Sequence, residues 1–500
     1  MFTKGKSKEI FEKKKRNIVV KQNGDIMENL DKQKNKALIL GTIIYGIGNF
    51  GTKFLSFLIV PLYTYYIKPS DLGDYDLLMT TVSLFTPLLT MQISDAAYRW
   101  MITNNENEIP SISATYKFLA KSCIISSIII LIINYFFSIK YCYYFIGILI
   151  LSRILESAQK LLRGLKNQKL YATSGVFYTF SFVVMNLVKI CYLKQGIEAL
   201  FQSTLWSSGL TVILIFCLEK RLRQIDLKNN HRQLQKEMLQ YSIPLIPNSL
   251  NWWLMNASDR YIIKFFLGSA TNGIYSVAYK FPSILSTAFL MFNTSWQDMA
   301  LSDNSSKEDT NRYYTKVFRR YYRLSFTMLL VLVPLTKIVT TLILSQSYKE
   351  AASYISFLYL GTVFQGFSSF YGVGYLKDKT TRGAATTSIF GGIVNVIVNM
   401  LLIKKIGLHA ASLSTFLGFF VMWLMRVFQT RKIIEIEIKL STFLSLFVLS
   451  LGMCIVVIWS NIYLNLLLTL GAMVLFFIAN YNEIKMIIVK VIKKKSTFNC

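Results

Sequence analysis

Histidine, cysteine, proline and acidic residues are all scarce in this 500-residue sequence. There are two histidines and six cysteines, and the cysteines lack the paired spacing of metal-binding motifs. The sequence contains no G-x-x-x-x-G-K-[ST] loop for nucleotide phosphates. These absences argue against the common metal and nucleotide sites, and we expect neither a bound metal or cofactor nor an enzymatic activity.

Long hydrophobic segments are abundant instead. Hydrophobic residues make up 53% of the chain and charged residues only 16%. Apolar runs recur from Leu38 almost to the C-terminus, with the roughly twenty residues that cross the ~30 Å hydrocarbon core of a bilayer. The pattern predicts an all-α, polytopic membrane protein with about fourteen transmembrane helices. The predicted external loops are short, the longest at 61–74, which leaves no room for an external catalytic domain. The two longest predicted loops, at about 219–242 and 298–320, are expected to be cytoplasmic.

Positive charge greatly exceeds negative charge, with 55 Lys and Arg against 26 Asp and Glu. A nucleic-acid partner is not indicated, because the sequence contains no recognition module. The basic residues lie mainly in short loops on one side and in the two tails, as the positive-inside rule describes. We therefore expect a multi-pass protein of the cell (cytoplasmic) membrane with both termini in the cytoplasm. The polar, lysine-rich first 36 residues are interpreted as a cytoplasmic tail rather than a cleaved signal peptide.

A short sequence repeat indicates two similar halves. Gly73-Asp74-Tyr75 and Gly273-Ile274-Tyr275 each open a predicted span after a turn. Transporters built from repeats bind their substrates between the halves. The predicted organisation is a basic cytoplasmic tail at 1–36, an N-terminal six-helix lobe at 37–218, a basic cytoplasmic linker at 219–242, a C-terminal six-helix lobe at 243–432, two additional transmembrane helices at 440–482 and a basic cytoplasmic tail at 483–500.

Charged residues inside the apolar spans are the most informative feature of the sequence. The stretch from Ile243 to Phe281 places Asp259, Arg260 and Lys264 within one predicted span. A charge inside the membrane is costly, so by default it marks a cavity or a pathway. The basic residues assigned to such a cavity are Lys53, Arg153, Arg260, Lys264 and Lys280. The acidic residues within spans are fewer, namely Asp259 and Glu156.

This surplus of intramembrane positive charge predicts an anionic ligand. Buried cations without matching acids are unstable unless water or an anion compensates them. Phosphate and pyrophosphate suit Lys and Arg, which bind them by charge and through several N–H donors. Structural pairing is the alternative, and Arg153 with Glu156, at i and i+3, could form a local ion pair. Tryptophans near span ends, Trp296 among them, are interpreted as membrane-interface anchors.

Three further charged residues lie at the cytoplasmic ends of predicted spans. They are Asp95 and Arg99 in the N-terminal lobe and Asp298 in the C-terminal lobe. We expect them to form a gate at the cytoplasmic end of the cavity.

Two stretches resemble a known family. One is D-R-Y-I-I-x-x-x-L-G…N-G-I-Y-S-V-A-Y-K, from Asp259 to Lys280. The other lies between Gly41 and Arg99 and contains V-P-L-Y-T-Y-Y-I, L-G-D-Y and I-S-D-A-A-Y-R. Both are similar to the polysaccharide-biosynthesis flippases of the multidrug/oligosaccharidyl-lipid/polysaccharide exporter superfamily. The resemblance extends over residues 37–480.

The resemblance implies both an architecture and a function. It implies two pseudo-symmetric six-helix lobes around a central cavity, with two extra helices. It also implies alternating access that moves an undecaprenyl-pyrophosphate-linked oligosaccharide from the inner to the outer leaflet, for capsule, O-antigen or exopolysaccharide synthesis. Antiport of H⁺ or Na⁺ would fit, with Asp259 or Glu156 as the coupling carboxylate, and a polysaccharide polymerase or export machinery would be a partner.

Other functions stay open at this point. A peptidoglycan-precursor flippase or a cation-coupled drug exporter of the same superfamily would share the fold, although the surplus of positive charge disfavours cationic drugs. A membrane-embedded polysaccharide polymerase or glycosyltransferase is an alternative from another class. The short external loops disfavour that alternative.

Overall fold

The computed structural model describes residues 51–485, apart from 54, 104–107, 227–228, 230, 303–305, 379–381 and 484. The predicted tail at 1–36, the first part of the predicted first span and most of the predicted tail at 483–500 lie outside these residues. Throughout the described residues the regular secondary structure is helical, without a strand. The prediction of an all-α protein is therefore confirmed.

The N-terminal half, called the N-lobe (residues 51–218), begins with helical residues that lead into α1. Its helices are α1 Val60–Tyr66, α2 Pro69–Thr90, α3 Ile93–Thr103, α4 Glu108–Phe137, α5 Cys142–Gly164, α6 Gln168–Asn186 and α7 Ile197–Leu218. A π-helical turn, Leu187–Tyr192, continues α6. The predicted linker contains a 3₁₀ turn, Lys220–Arg223, and the helix α8, Arg232–Ser242.

The C-terminal half, called the C-lobe (residues 246–430), is followed by two more helices. Its helices are α9 Ile246–Ala257, α10 Asp259–Leu267, α11 Ser269–Ser302, α12 Lys307–Ile343, α13 Ala351–Tyr371, α14 Val373–Lys377, α15 Arg382–Ile406 and α16 Leu408–Thr430. The additional helices, α17 Leu440–Trp459 and α18 Ile462–Ala479, both pack against α12.

The described helices include eight that are long and apolar enough to cross a membrane. A ninth span results if α2 and α3, which bend by 56° at their junction, are counted together. The bend falls at Met91 and Gln92, whose positive φ angles of 46° and 51° end α2. The protein is thus a multi-pass membrane protein, while the total of about fourteen spans stays a prediction.

Two predicted loops are largely helical. The segment predicted as the external loop 61–74 contains α1, and α2 already begins at Pro69 because proline suits the first helical turn. The segment predicted as the cytoplasmic loop 298–320 consists mainly of the ends of α11 and α12. Hydropathy detects only the apolar part of a helix, so polar extensions of long helices are missed.

The C-lobe has an aromatic core, and Trp296, which was predicted to be a membrane-interface anchor, belongs to it. Trp296 is only 3% exposed, stacks on Phe370 with 4.1 Å between ring centroids and donates its indole N–H to the Phe370 carbonyl. It is therefore a core residue and not a membrane-interface anchor, because its polar atom is satisfied inside the protein.

The two lobes touch backbone to backbone where α2 and α11 begin. A Cβ added to Gly73 would lie 2.8 Å from the Gly273 nitrogen, and one added to Gly273 would lie 3.0 Å from the Gly73 nitrogen. Asn272 supports the contact by donating from Nδ2 to the Gly73 carbonyl at 2.9 Å. The glycines of the sequence repeat therefore mark the crossing point of the lobes, where only glycine permits this approach.

Candidate functional site

A polar cavity of about 200 Å³ lies between the lobes, next to this crossing. Three basic side chains line it: Lys53 from the N-lobe, and Arg260 and Lys280 from the C-lobe. The acid on its wall is Asp76 of α2. Three of the five basic residues assigned to a cavity from sequence thus line one and the same space.

A helix break positions Arg260. α9 and α10 are separated at Ser258, and Arg260 follows directly in the first turn of α10. Its Nε donates to Asp76 Oδ2 at 3.2 Å, which joins the C-lobe to the N-lobe. The guanidinium also lies 4.5 Å from the centre of the Tyr279 ring, a cation–π distance. Arg260 is 8% exposed, so this ion pair is shielded from most water.

Lys280 and Lys53 supply charge without a direct acidic partner. Protein surrounds Lys280, yet its side chain is exposed to the cavity, and it lies close enough to Asp76, Lys53 and Arg260 to interact with their charges. Among the described residues, no carboxylate lies within 4.0 Å of either lysine nitrogen. Among the described lining residues, three cations against one carboxylate leave two positive charges uncompensated.

The side chain of Asp259 is directed away from this cavity, into the C-lobe. It is 1% exposed and accepts hydrogen bonds from Tyr275 Oη at 2.9 Å, Asn399 Nδ2 at 3.0 Å and Thr415 Oγ1 at 2.7 Å. The Oδ1 atoms of Asn395 and Asn399 are buried and have no hydrogen-bond partner among the described residues. Buried polar atoms usually have hydrogen-bond partners. The oxygen atoms of this cluster can therefore accept a proton or a small cation.

Lys264 and Arg153 lie outside the central cavity. Lys264 pairs with Asp74 at 2.9 Å, beside the crossing of the lobes. Lys140 pairs with the same carboxylate at 3.0 Å, and this hydrogen bond raises the pKa of Lys140 above its usual value. Arg153 is fully buried in the N-lobe, where it donates to the Leu149 carbonyl and to Ser126 Oγ.

The pair suggested for Arg153 and Glu156 does not form. Glu156 instead pairs with Lys160 at 2.9 Å and has a 47% exposed side chain. Lys160 also pairs with Asp95 at 2.7 Å. Lys160, one turn further along α5, therefore binds the Glu156 carboxylate in place of Arg153, because side chains at i and i+4 meet as readily as those at i and i+3.

Among the described residues, no ion pair joins the three predicted gate residues to one another. Asp95 is held by Lys160 within the N-lobe, and the Arg99 guanidinium lies 4.5 Å from the Tyr241 ring. Asp298 is exposed on α11.

Asp76 is the site residue that sequence reasoning missed. It follows Tyr75 in the G-D-Y-D run, and its counterpart two hundred positions later is Ser276. Both residues line the central cavity. Extending the repeat by one residue would have identified the pair.

Solved structures define the class of fold. Lipid II flippase MurJ in an inward closed conformation gives a TM-score of 0.64 at 14% identity, over 89% of this chain and 100% of that chain. An inward-facing multidrug resistance MATE family transporter of the MOP superfamily gives 0.59 at 14% identity, over 81% of this chain and 96% of that chain. At these identities the likeness establishes the fold alone, which is the fold of MOP-superfamily transporters.

The sequence defines the family. Residues 38–296, just over half of the chain, match the family described as Polysaccharide biosynthesis protein. The chain belongs to this family.

Two membrane proteins of Methanocaldococcus jannaschii are also similar. Uncharacterized membrane protein MJ1068 is 29% identical over 99 residues, 20% of this chain and 19% of that protein. Uncharacterized membrane protein MJ1375 is 21% identical over 312 residues, 58% of this chain and 72% of that protein. The chain thus matches about a fifth of the length of the first relative.

Proposed function

We propose that this protein is a flippase for an undecaprenyl-pyrophosphate-linked oligosaccharide repeat unit. It moves the repeat unit from the inner to the outer leaflet for capsule, O-antigen or exopolysaccharide synthesis. The pyrophosphate and the sugars cross in the central cavity while the lipid tail stays in the bilayer. Polymer-forming or export proteins on the outer side then take up the repeat unit.

The observation that carries this proposal is the surplus of two positive charges in a cavity built by both lobes. A pyrophosphate diester carries two ionised oxygens, so it matches the surplus. Lys and Arg in a partly desolvated cavity hold such an anion more strongly than they would in bulk water. The same charge disfavours a cationic drug, which would require acids in the cavity.

The proposal also assigns a direction to the structure. The predicted orientation places the Gly73–Gly273 crossing at the outer end, where the Asp74–Lys264 pair joins the lobes as well. The predicted gate residues Asp95, Arg99 and Asp298 belong to the opposite, cytoplasmic end. We infer that this conformation is the state closed to the outside. The two lobes that move against each other are residues 37–218 and 243–432.

Ion coupling is assigned to Asp259. Tyr275 links the two sites, because its hydroxyl bonds to Asp259 while its ring lies 5.8 Å from the Arg260 guanidinium. A proton or Na⁺ taken up by the Asp259 cluster would change the charge beside the substrate cavity. Glu156 is the weaker candidate, since it is exposed and already paired with Lys160.

The test is to delete the gene and to determine on which leaflet the completed lipid-linked repeat unit accumulates. Accumulation on the cytoplasmic leaflet that is reversed by the wild-type gene, but not by Arg260→Ala, supports flipping. Accumulation of unpolymerised units on the outer leaflet contradicts it and favours a polymerase. A sugar composition typical of peptidoglycan precursors would reassign the substrate within the same class of flippase.

A further inference from the structure

A second cavity of about 170 Å³ adjoins the cationic one, on the N-lobe side. Helices α1, α2, α6 and α11 form its walls. The two cavities share Ser56, Asp76, Ser276 and Lys280 as lining residues, so they are neighbouring compartments of one site. We call this second compartment the tyrosine pocket, after Tyr63, Tyr75 and Tyr178 in its walls.

The tyrosine pocket combines aromatic faces with hydroxyl groups. The three phenols lie close enough together to interact electrostatically. Thr179 and Ser276 add hydroxyl groups, and the charged residues of the pocket are those it shares with the cationic cavity. Such a surface suits a neutral ligand that has an apolar face and several hydroxyl groups.

One group in this pocket lacks a partner. Tyr63 is 5% exposed, and its hydroxyl has no hydrogen-bond partner among the described residues. Tyr75, by contrast, exchanges a hydrogen bond with Thr204 at 2.9 Å. Tyr63 lines the pocket, and a buried hydroxyl without a partner is a group that a ligand can satisfy.

We propose that the tyrosine pocket binds the sugar attached directly to the pyrophosphate, with Tyr63 hydrogen-bonding that sugar. This inference rests on the proposed function. The first sugar of a lipid-linked saccharide is bonded to the second phosphate, so its site must adjoin the phosphate site, and Lys280 and Asp76 form that boundary. The volume equals that of about six waters at ~30 Å³ each, which is room for one sugar ring and not for a whole repeat unit.

The test compares two probes on the purified full-length protein in lipid nanodiscs. One probe is undecaprenyl pyrophosphate, and the other is the lipid-linked saccharide extracted from the deletion strain. Tyr63→Phe removes one hydroxyl, and we expect about five- to tenfold weaker binding of the saccharide probe with unchanged binding of undecaprenyl pyrophosphate.

The matched control is Tyr371→Phe. Tyr371 is also buried, with an unpartnered hydroxyl, but it lies in the C-lobe core. We expect this variant to bind both probes as the wild type does. Equal weakening of both probes by Tyr63→Phe, or no weakening of either, would overturn the assignment, and Tyr178→Phe provides a second variant if Tyr63→Phe is unstable.

Arg260→Ala separates this inference from the proposed function. If the proposed function is right, Arg260→Ala weakens both probes, because both carry the pyrophosphate. If Arg260→Ala leaves both unchanged, the cationic cavity is not the pyrophosphate site and the proposed function fails. If Arg260→Ala weakens the binding of both probes while Tyr63→Phe weakens neither, only the sugar site is refuted.

Discussion

Alanine at Gly73 should disfavour the state that is closed at the crossing of the lobes. The added Cβ would overlap the Ser269 carbonyl and lie 2.8 Å from the Gly273 nitrogen, whereas ordinary contacts begin at 3.4 Å. The obstructing atoms are backbone atoms, which cannot rotate away, so the helices have to separate. Overpacking of this kind destabilises a packed state by up to about 3 kcal/mol. Because about 1.4 kcal/mol corresponds to a factor of ten, the ratio of closed to open protein should fall by about a hundredfold.

The assay is a distance measurement by double electron–electron resonance. Spin labels at Lys68 of the N-lobe and Lys405 of the C-lobe, both exposed, report the separation of the lobes at this end. Among the described residues, Cys191 and Cys217 are the exposed cysteines, and these two and Cys500 are first replaced by serine. We expect the wild type to populate the short distance and Gly73→Ala the longer one.

The control is Gly209→Ala. A Cβ at Gly209 has Leu151 Cδ1 as its nearest neighbour at 4.0 Å, so this substitution fits without movement. It should reproduce the wild-type distances. An unchanged distance distribution in Gly73→Ala would refute the argument, since it would show that the close approach of α2 and α11 is not what holds the lobes together.

Three further predictions concern charge. Lys280→Arg should retain most polymer export, whereas Lys280→Glu removes the surplus of positive charge and should abolish it; equal loss in both would indicate packing instead of charge. Lys264→Arg should likewise retain more export than Lys264→Glu, because only a cation preserves the pair with Asp74 at the crossing; identical export levels would exclude this pair from the transport cycle. Asp259→Asn keeps the size of the side chain but removes its charge. The variant should stay folded, and flipping in proteoliposomes should lose its dependence on a pH or Na⁺ gradient. An unaltered gradient dependence would exclude Asp259 as the coupling group.

The architecture was predictable because the physical constraints on it are local. Spans of apolar residues and loops rich in Lys and Arg follow from the bilayer itself. The faint repeat at Gly73 and Gly273 also proved informative, since the same two glycines meet at the crossing of the lobes. What the sequence did not show is that α1 and the polar ends of α11 and α12 continue as helices beyond the apolar runs.

The candidate site was only partly predictable, because the sequence shows which side chains are charged but not where they point. Arg260 and Lys264 are four residues apart and were expected to share one cavity, yet Asp76 holds the first and Asp74 the second. Arg153 is accommodated by serine hydroxyls of α4 and not by an acid, which no charge count could reveal. These partners come from other helices, so only tertiary structure identifies them.

The central claim is that the cationic cavity carries the pyrophosphate of a lipid-linked saccharide across the membrane. Its most direct test is translocation in proteoliposomes that contain the purified protein and a sugar-labelled lipid-linked saccharide on the outer surface. The fraction that becomes inaccessible to a membrane-impermeant reagent measures flipping. The account predicts rapid protection with the wild type and none above empty liposomes with Arg260→Ala. Protection at the same rate with Arg260→Ala, or none with the wild type, would contradict it.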